Sequence, residues 1–106
     1  MGDRDTERDV GVVSRKKTER KVQTPRLYKV LLHNDDYTTM EFVVFVLQSV
    51  FHHDQTRATE IMLHVHRHGI GVAGVYPHEI AETRVSRVHE LAREHEFPLR
   101  SSVEEV

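Results

Sequence analysis

Residues 27–43 read LYKVLLHNDDYTTMEFV and decide the fold. The first six residues form a short apolar run with β-branched and aromatic members that begins two positions after Pro25, which predicts a strand. That strand ends in the polar turn 33–36. Thr38 and Glu41 then have the spacing of a capping box, in which the Thr38 hydroxyl accepts a hydrogen bond from the Glu41 N–H. We therefore predict a helix that begins at about Met40.

The rest of the chain continues with a second helix, a strand, a third helix and a last strand. Asp54 is typical of a helix N-cap, and Gly69 is typical of the left-handed residue that ends a helix. The predicted positions are residues 55–68 for the second helix, 70–76 for the strand, the segment between Pro77 and Pro98 for the third helix, and 99–106 for the last strand.

The element order β-α-α-β-α-β predicts an α+β fold. None of these short elements can bury its apolar face alone, so we expect a small α/β sandwich with three helices on one face of a three-stranded sheet. We assign residues 26–106 to this core domain. Residues 1–25 carry few apolar side chains and no helical period, so we expect them to form a disordered arm.

Composition excludes several functional classes. Residues 1–25 hold seven basic and five acidic residues, whereas residues 26–106 hold eight basic, twelve acidic and all nine histidines. A core of net charge −4 is a poor match for a nucleic-acid backbone. The absence of cysteine excludes disulfides, thiolate metal sites and a cysteine nucleophile. No apolar run approaches the ~18 residues of a membrane span. We expect a soluble intracellular protein.

The acidic turn Asn34-Asp35-Asp36 allows two interpretations. Asn and Asp are ordinary turn residues because their side chains bond to the nearby backbone. Alternatively, acceptors crowded at the end of a strand bind a cation. The turn offers too few oxygens for calcium, which takes six to eight ligands, and an ammonium group with three donors suits it better.

The histidines do not predict a metal centre. His64 and His68 share a helix face, but His66 points away from them, and Val65 stands where a zinc protease would have glutamate. His66 is either a half-buried interface residue or a polar group at the rim of a pocket. Met40 and Met62 are either core residues or the walls of that pocket. We expect the remaining helix and turn histidines to be solvated: His52, His53, His78, His89 and His95.

Three separated blocks resemble the ClpS family of adaptors, which hand N-end rule substrates to the ATP-dependent Clp protease. Residues 30–43 resemble the family's strand, acidic turn and first helix. Residues 58–66 resemble its second helix, and residues 74–76 with 79–84 resemble its third block. The family fold is the α/β sandwich also found in the C-terminal domain of the ribosomal stalk protein, in agreement with the predicted element order.

The resemblance assigns residues to two sites and implies no catalytic residue, metal or cofactor. The family binds the free α-amino group of a substrate through positions that correspond to Asn34, Asp35, Asp36 and His66. The pocket for the first side chain corresponds to Leu32, Thr38, Met40, Val43, Met62, Val65 and Leu99, with Met40 as gatekeeper. The surface that binds the N-terminal domain of the Clp unfoldase corresponds to Glu79, Glu82 and Arg84.

The resemblance therefore implies a monomeric, non-catalytic adaptor in the bacterial cytoplasm, with the plastid stroma as the alternative location. Its ligands are proteins with a free N-terminal Leu, Phe, Tyr or Trp, and its partner is a Clp unfoldase of the ClpA or ClpC type. It binds no nucleic acid and no membrane. The alternative is a protein-interaction domain of the same fold, of the ribosome-associated type, and a metal-dependent enzyme ranks third.

Overall fold

The computed structural model describes residues 24–106 and has the predicted element order. All of the predicted arm before Thr24 lies outside the described residues. The bounds are β1 (Leu27–His33), α1 (Met40–Ser49), α2 (Gln55–His68), β2 (Ile70–Pro77), α3 (His78–Glu94) and β3 (Arg100–Glu105).

The sheet is antiparallel, with β1 in the centre and the strand order β2-β1-β3. Val30 and Leu32 of β1 are fully buried and belong to the same core as the apolar stripes of the helices. Helix α3 packs on all three strands, and α2 packs on β2 and α1. The predicted sandwich of three helices and a three-stranded sheet is confirmed.

Helix α1 begins at Met40, as predicted, but its cap differs from the prediction. Thr39 is the N-cap, and its hydroxyl accepts a hydrogen bond from the Phe42 N–H at 3.1 Å. The capping box predicted for Thr38 and Glu41 is wrong. The hydroxyl of Thr38 instead donates to the carboxylate of Asp35 at 2.7 Å, so the preceding turn uses this side chain.

Helix α2 has the predicted signals at both ends. The Asp54 carboxylate accepts from the Arg57 N–H at 2.8 Å. Gly69 ends the helix in the left-handed region with φ 88°, and its N–H donates to the Val65 carbonyl at 2.8 Å. Only glycine adopts this conformation without a steric cost from Cβ. This sharp stop fixes where β2 begins and where the end of α2 meets the acidic turn.

Two histidines that we expected to be solvated have structural roles. His53 Nε2 donates to the Ala73 carbonyl at 2.6 Å, and His89 Nε2 accepts from the Ser101 N–H at 3.0 Å. Both side chains are half-buried. Each bonds to a backbone group of a strand, and no local sequence pattern indicates such a pairing between separate segments.

Candidate functional site

A cavity of about 480 Å³ lies between the turn after β1, the first turn of α1 and the C-terminal half of α2. We call it the cavity. Its lining combines the acidic turn with apolar helix residues: Asn34, Asp35, Asp36, Tyr37, Thr38, Thr39, Met40, Glu41, Val43, Met62, Val65 and His66. It therefore brings together nine of the eleven residues that the sequence predicted for substrate binding.

Asp35 organises the turn from within. Its Oδ1 accepts from the N–H groups of Tyr37 and Thr38 at 2.8 and 2.7 Å, and its Oδ2 accepts from the Thr38 hydroxyl at 2.7 Å. Partial burial acts to raise the pKa of Asp35, but these hydrogen bonds stabilise the carboxylate more strongly, so its pKa lies below the ordinary value. Asp35 therefore stays ionised and stabilises the turn, and both of its carboxylate oxygens already accept hydrogen bonds.

The turn is also tied to the end of α2. The Asn34 N–H donates to the Gly69 carbonyl at 2.9 Å, which holds the turn beside the last turn of the helix that carries His66. Within the described part of the chain, the side-chain hydrogen bonds of the turn all go to Asp35. The exposed side chains of Asn34 and Asp36 consequently present their acceptor oxygens to the solvent at the rim.

The apolar wall of the cavity comes from α1 and α2. Val43, Met62 and Val65 are buried at 7%, 8% and 2% exposure, whereas Met40 is 42% exposed and lies at the rim. The two other residues predicted for this pocket occupy different positions. Leu32 and Leu99 are buried in the core and do not line the cavity.

The residues predicted to bind the unfoldase lie elsewhere, on the first half of α3. Glu79 and Glu82 are exposed, and Arg84 is half-buried with its guanidinium 5.3 Å from the centre of the Tyr76 ring. Glu82 also lies 3.4 Å from the Nε2 of His78. None of the three predicted residues lines the cavity, so the molecule has two separate candidate surfaces.

Known proteins resemble this chain in sequence. A family model described as "ATP-dependent Clp protease adaptor protein ClpS" matches residues 23–102. The ATP-dependent Clp protease adapter protein ClpS of Myxococcus xanthus is 53% identical over 98 residues, which are 92% of each chain. The relative of the same name from Desulfatibacillum aliphaticivorans is 55% identical over 100 residues, which cover 94% of this chain and 95% of the relative.

A solved structure agrees with these relatives. The structure of Agrobacterium tumefaciens ClpS2 bound to L-phenylalaninamide matches with a TM-score of 0.75 and 41% sequence identity, and the match covers 78% of this chain and all of that one. The chain belongs to the ClpS family of Clp protease adaptor proteins. The family model and the relatives are described as adaptor proteins, which is a non-catalytic role, in agreement with the prediction that this chain is not an enzyme.

Three residues of this ClpS chain line the cavity although the sequence did not predict them there. These are Tyr37, Thr39 and Glu41. Tyr37 is 78% exposed, which no pattern in the sequence indicated. Thr39 and Glu41 belong to the start of a helix, and the mistaken capping box gave Glu41 a purely structural partner.

Neither a metal-binding cluster nor a membrane-spanning helix is found in the described part of this ClpS chain. Between residues 24 and 106, no three His, Cys, Asp or Glu side chains lie close enough together to hold a metal ion. No helix in the same range is long and apolar enough to cross a membrane.

Proposed function

We propose that this ClpS chain binds proteins whose free N-terminal residue is Leu, Phe, Tyr or Trp and delivers them to a Clp unfoldase. The observation that carries the proposal is that one cavity has both a polar rim and an apolar wall. Asn34, Asp36 and His66 offer acceptors to an α-amino group, while Met40, Val43, Met62 and Val65 offer an apolar surface to the first side chain.

Two features of the cavity support an ammonium ligand. A protonated α-amino group has three donors and one positive charge, and the rim supplies carboxylate, amide and imidazole acceptors. Asp35 adds a permanent negative charge behind the rim because its lowered pKa keeps it ionised. The ClpS2 protein of Agrobacterium tumefaciens has a ligand of this chemistry, since L-phenylalaninamide combines an amine with a benzyl side chain.

The energetics suit an adaptor that must release its cargo. Burial of a leucine or phenylalanine side chain contributes about 1.5 to 3 kcal/mol. Each hydrogen bond to the charged amine contributes about as much again. After the cost of association is subtracted, we expect dissociation constants of about the micromolar order.

Met40 is the proposed gatekeeper of this cavity. It is the most exposed of the apolar wall residues and lies at the rim, where it would meet the β-carbon of a first residue and not the tip of its side chain. A methyl branch on that carbon would overlap with the thioether. We therefore propose that Met40 excludes isoleucine and valine while it admits unbranched and aromatic side chains.

The remaining parts of the proposal concern delivery. Glu79, Glu82 and Arg84 form the surface that binds the N-terminal domain of a ClpA or ClpC type unfoldase, and residues 1–25 engage the unfoldase during transfer. The adaptor acts as a monomer in the bacterial cytoplasm, without nucleic acid or membrane. The bacterial origin of the relatives supports this location.

One comparison of peptides tests the proposal. A peptide that begins with free phenylalanine should bind, and its N-acetylated form should lose about 2 to 5 kcal/mol because Asp36 then faces no charge. Isothermal titration calorimetry measures both. If the two forms bind equally or neither binds, the alternative of a protein-interaction domain without N-terminal recognition is favoured.

A further inference from the structure

Gly69 is the whole connection between α2 and β2. The helix ends at His68 and the strand begins at Ile70. Ile70 pairs with His33, the last residue of β1, and the acidic turn begins at the next residue. A single residue therefore separates the helix that carries His66 from the strand pair that carries the turn.

The two backbone groups of Gly69 bond to opposite sides of the polar rim. Its N–H donates to the Val65 carbonyl of α2 at 2.8 Å, and its carbonyl accepts from the Asn34 N–H of the turn at 2.9 Å. The directions of these two groups depend on the backbone angles of the residue, φ 88° and ψ −18°. The conformation of Gly69 thus determines how the turn lies relative to α2.

We propose that Gly69 is a positioning residue for recognition of the α-amino group. This inference rests on the proposed function and deepens it. Asn34 and Asp36 belong to the turn, whereas His66 belongs to α2, so an amine that bonds to both elements depends on the spacing between them. A built binding site tolerates displacements of only about 0.5 Å. The left-handed residue holds this spacing before the ligand arrives, so binding does not have to order the rim.

A substitution of Gly69 acts through backbone conformation and not through steric overlap with other segments. A Cβ added here would have no heavy atom within 4 Å, apart from its own residue and its two chain neighbours. Residues with a Cβ nonetheless disfavour positive φ, and asparagine tolerates it better than alanine does. Alanine should therefore drive position 69 toward other backbone angles, whereas asparagine should keep the left-handed conformation.

Two affinity ratios, measured by calorimetry on the full chain, test the inference. The ratio between N-acetylated and free phenylalanine peptides reports the contribution of the amine. The ratio between peptides that begin with alanine and phenylalanine reports the contribution of the first side chain. Gly69→Ala should lower the amine ratio by about tenfold, the lower end of what one hydrogen bond to a charged group contributes, and leave the side-chain ratio within about twofold. Gly69→Asn should keep both ratios within about twofold of the unaltered chain.

Ser101→Ala is the matched control for a loss of stability without a change at the rim. The buried Ser101 hydroxyl donates to the Leu31 carbonyl at 2.7 Å, and neither residue lines the cavity. Ser101→Ala and Gly69→Ala should each lower the melting temperature by about 4 to 8 °C. Only Gly69→Ala should lower the amine ratio.

Hydrogen exchange tests the inference in the unaltered chain, so the test does not depend on the folding of a variant. Coupling is reciprocal, so a bond that favours ligand binding must itself be favoured by the ligand. If the bond from Asn34 to Gly69 supports amine binding, saturating L-phenylalaninamide should slow exchange of the Asn34 amide by about tenfold. The Phe97 amide, which donates to the Ala92 carbonyl at 2.8 Å at the end of α3, should keep its rate.

The outcomes separate this inference from the proposed function. The positioning role is overturned if Gly69→Ala leaves the amine ratio unchanged, or if Ser101→Ala or Gly69→Asn lowers it as much. It is also overturned if L-phenylalaninamide binds without slowing exchange of the Asn34 amide. In each of these cases the proposed function stands. If the unaltered chain binds the free and acetylated peptides equally, or binds neither, the proposed function itself is overturned, and the positioning role with it.

Discussion

The acidic turn at residues 34–38 and the first half of α3 are both charged and both proposed to bind a partner, yet they are built differently. The turn is concave, and it is held by three hydrogen bonds to Asp35 and by the bond from Asn34 to Gly69. On α3, by contrast, Glu79 and Glu82 are exposed on a regular helix, and neither lines the cavity.

This difference corresponds to the size of the two proposed ligands. An α-amino group offers a single point of recognition, so its acceptors must be fixed in advance for the interaction to outweigh the entropy of ordering them. A folded domain offers many contacts, so each charged side chain on α3 needs to be less rigidly positioned before binding. We therefore expect substitutions in the turn to abolish one function sharply and substitutions on α3 to weaken the other gradually.

The largest effect should follow Asp36→Asn. This change removes the exposed carboxylate of the rim and keeps its shape, so the affinity for a peptide with free N-terminal phenylalanine should fall by about 2 to 5 kcal/mol. Calorimetry measures the loss, and binding to the unfoldase N-terminal domain should not change. An equal loss of both activities would mean that the two surfaces are not independent.

The next effect concerns Met40→Ala, which tests the apolar wall and not the rim. Removal of the thioether at the rim should relax the discrimination between peptides that begin with leucine and isoleucine by about 1 to 3 kcal/mol, the typical value of one methyl group in a packed pocket. The measured quantity is the ratio of the two dissociation constants. An unchanged ratio would assign the exclusion of β-branched residues to another side chain.

Asp35→Asn separates the rigidity of the turn from its charge. Asn has one acceptor oxygen in place of two, so at least one of the three hydrogen bonds is lost and the free energy of unfolding should fall by about 1 to 2 kcal/mol. Chemical denaturation measures this loss. Affinity for the peptide should fall as well, because the rim is less well ordered.

The pH dependence of stability gives a sharper signature for Asp35. Its pKa is lowered in the folded state, so its stabilising contribution is present above the unfolded-state pKa and is lost as pH falls through the folded-state pKa. Between neutral pH and the acidic carboxyl range, the unaltered chain should therefore lose more stability than Asp35→Asn. If the free energy of unfolding changed with pH in the same way in both proteins, the ionised Asp35 carboxylate would not stabilise the turn as inferred.

The fold could be predicted from the sequence because the residues that begin and end its helices act locally. Asp54, Gly69 and Pro77 act through their own backbone or that of the next turn, so the sequence identifies the ends of α2 and the start of α3 correctly. The prediction of the α1 cap was wrong, and the reason is also local. Two threonines compete for it, and the preceding Asp35 engages Thr38, which leaves Thr39 as the N-cap.

The site was less predictable because it depends on contacts between segments. The sequence suggested that Asn34, Asp36 and His66 act together only through a family resemblance. The bond from Asn34 to Gly69, which joins the turn to the end of α2, has no signature in either segment. Leu32 and Leu99 illustrate the same limit, since nothing local distinguishes a wall residue from a core residue.

The smallest effect should follow Arg84→Lys on the α3 surface. Arg84 stacks over the Tyr76 ring, and within residues 24–106 its buried Nε has no hydrogen-bond partner, so packing on the ring holds the guanidinium in place. Lysine keeps the charge but loses the planar stacking, and affinity for the unfoldase N-terminal domain should fall by about 0.5 to 1 kcal/mol.

A matched substitution on the same helix decides whether that loss is specific. Arg87 is exposed and pairs with Glu90 at 2.8 Å, so Arg87→Lys makes the same chemical change outside the proposed surface. It should leave unfoldase binding unchanged, and both variants should bind the phenylalanine peptide normally. Equal losses in the two variants would indicate general electrostatic attraction to α3. A loss confined to Arg84→Lys would locate the contact where Tyr76 orients the cation, a charge held in position as the acceptors of the turn are.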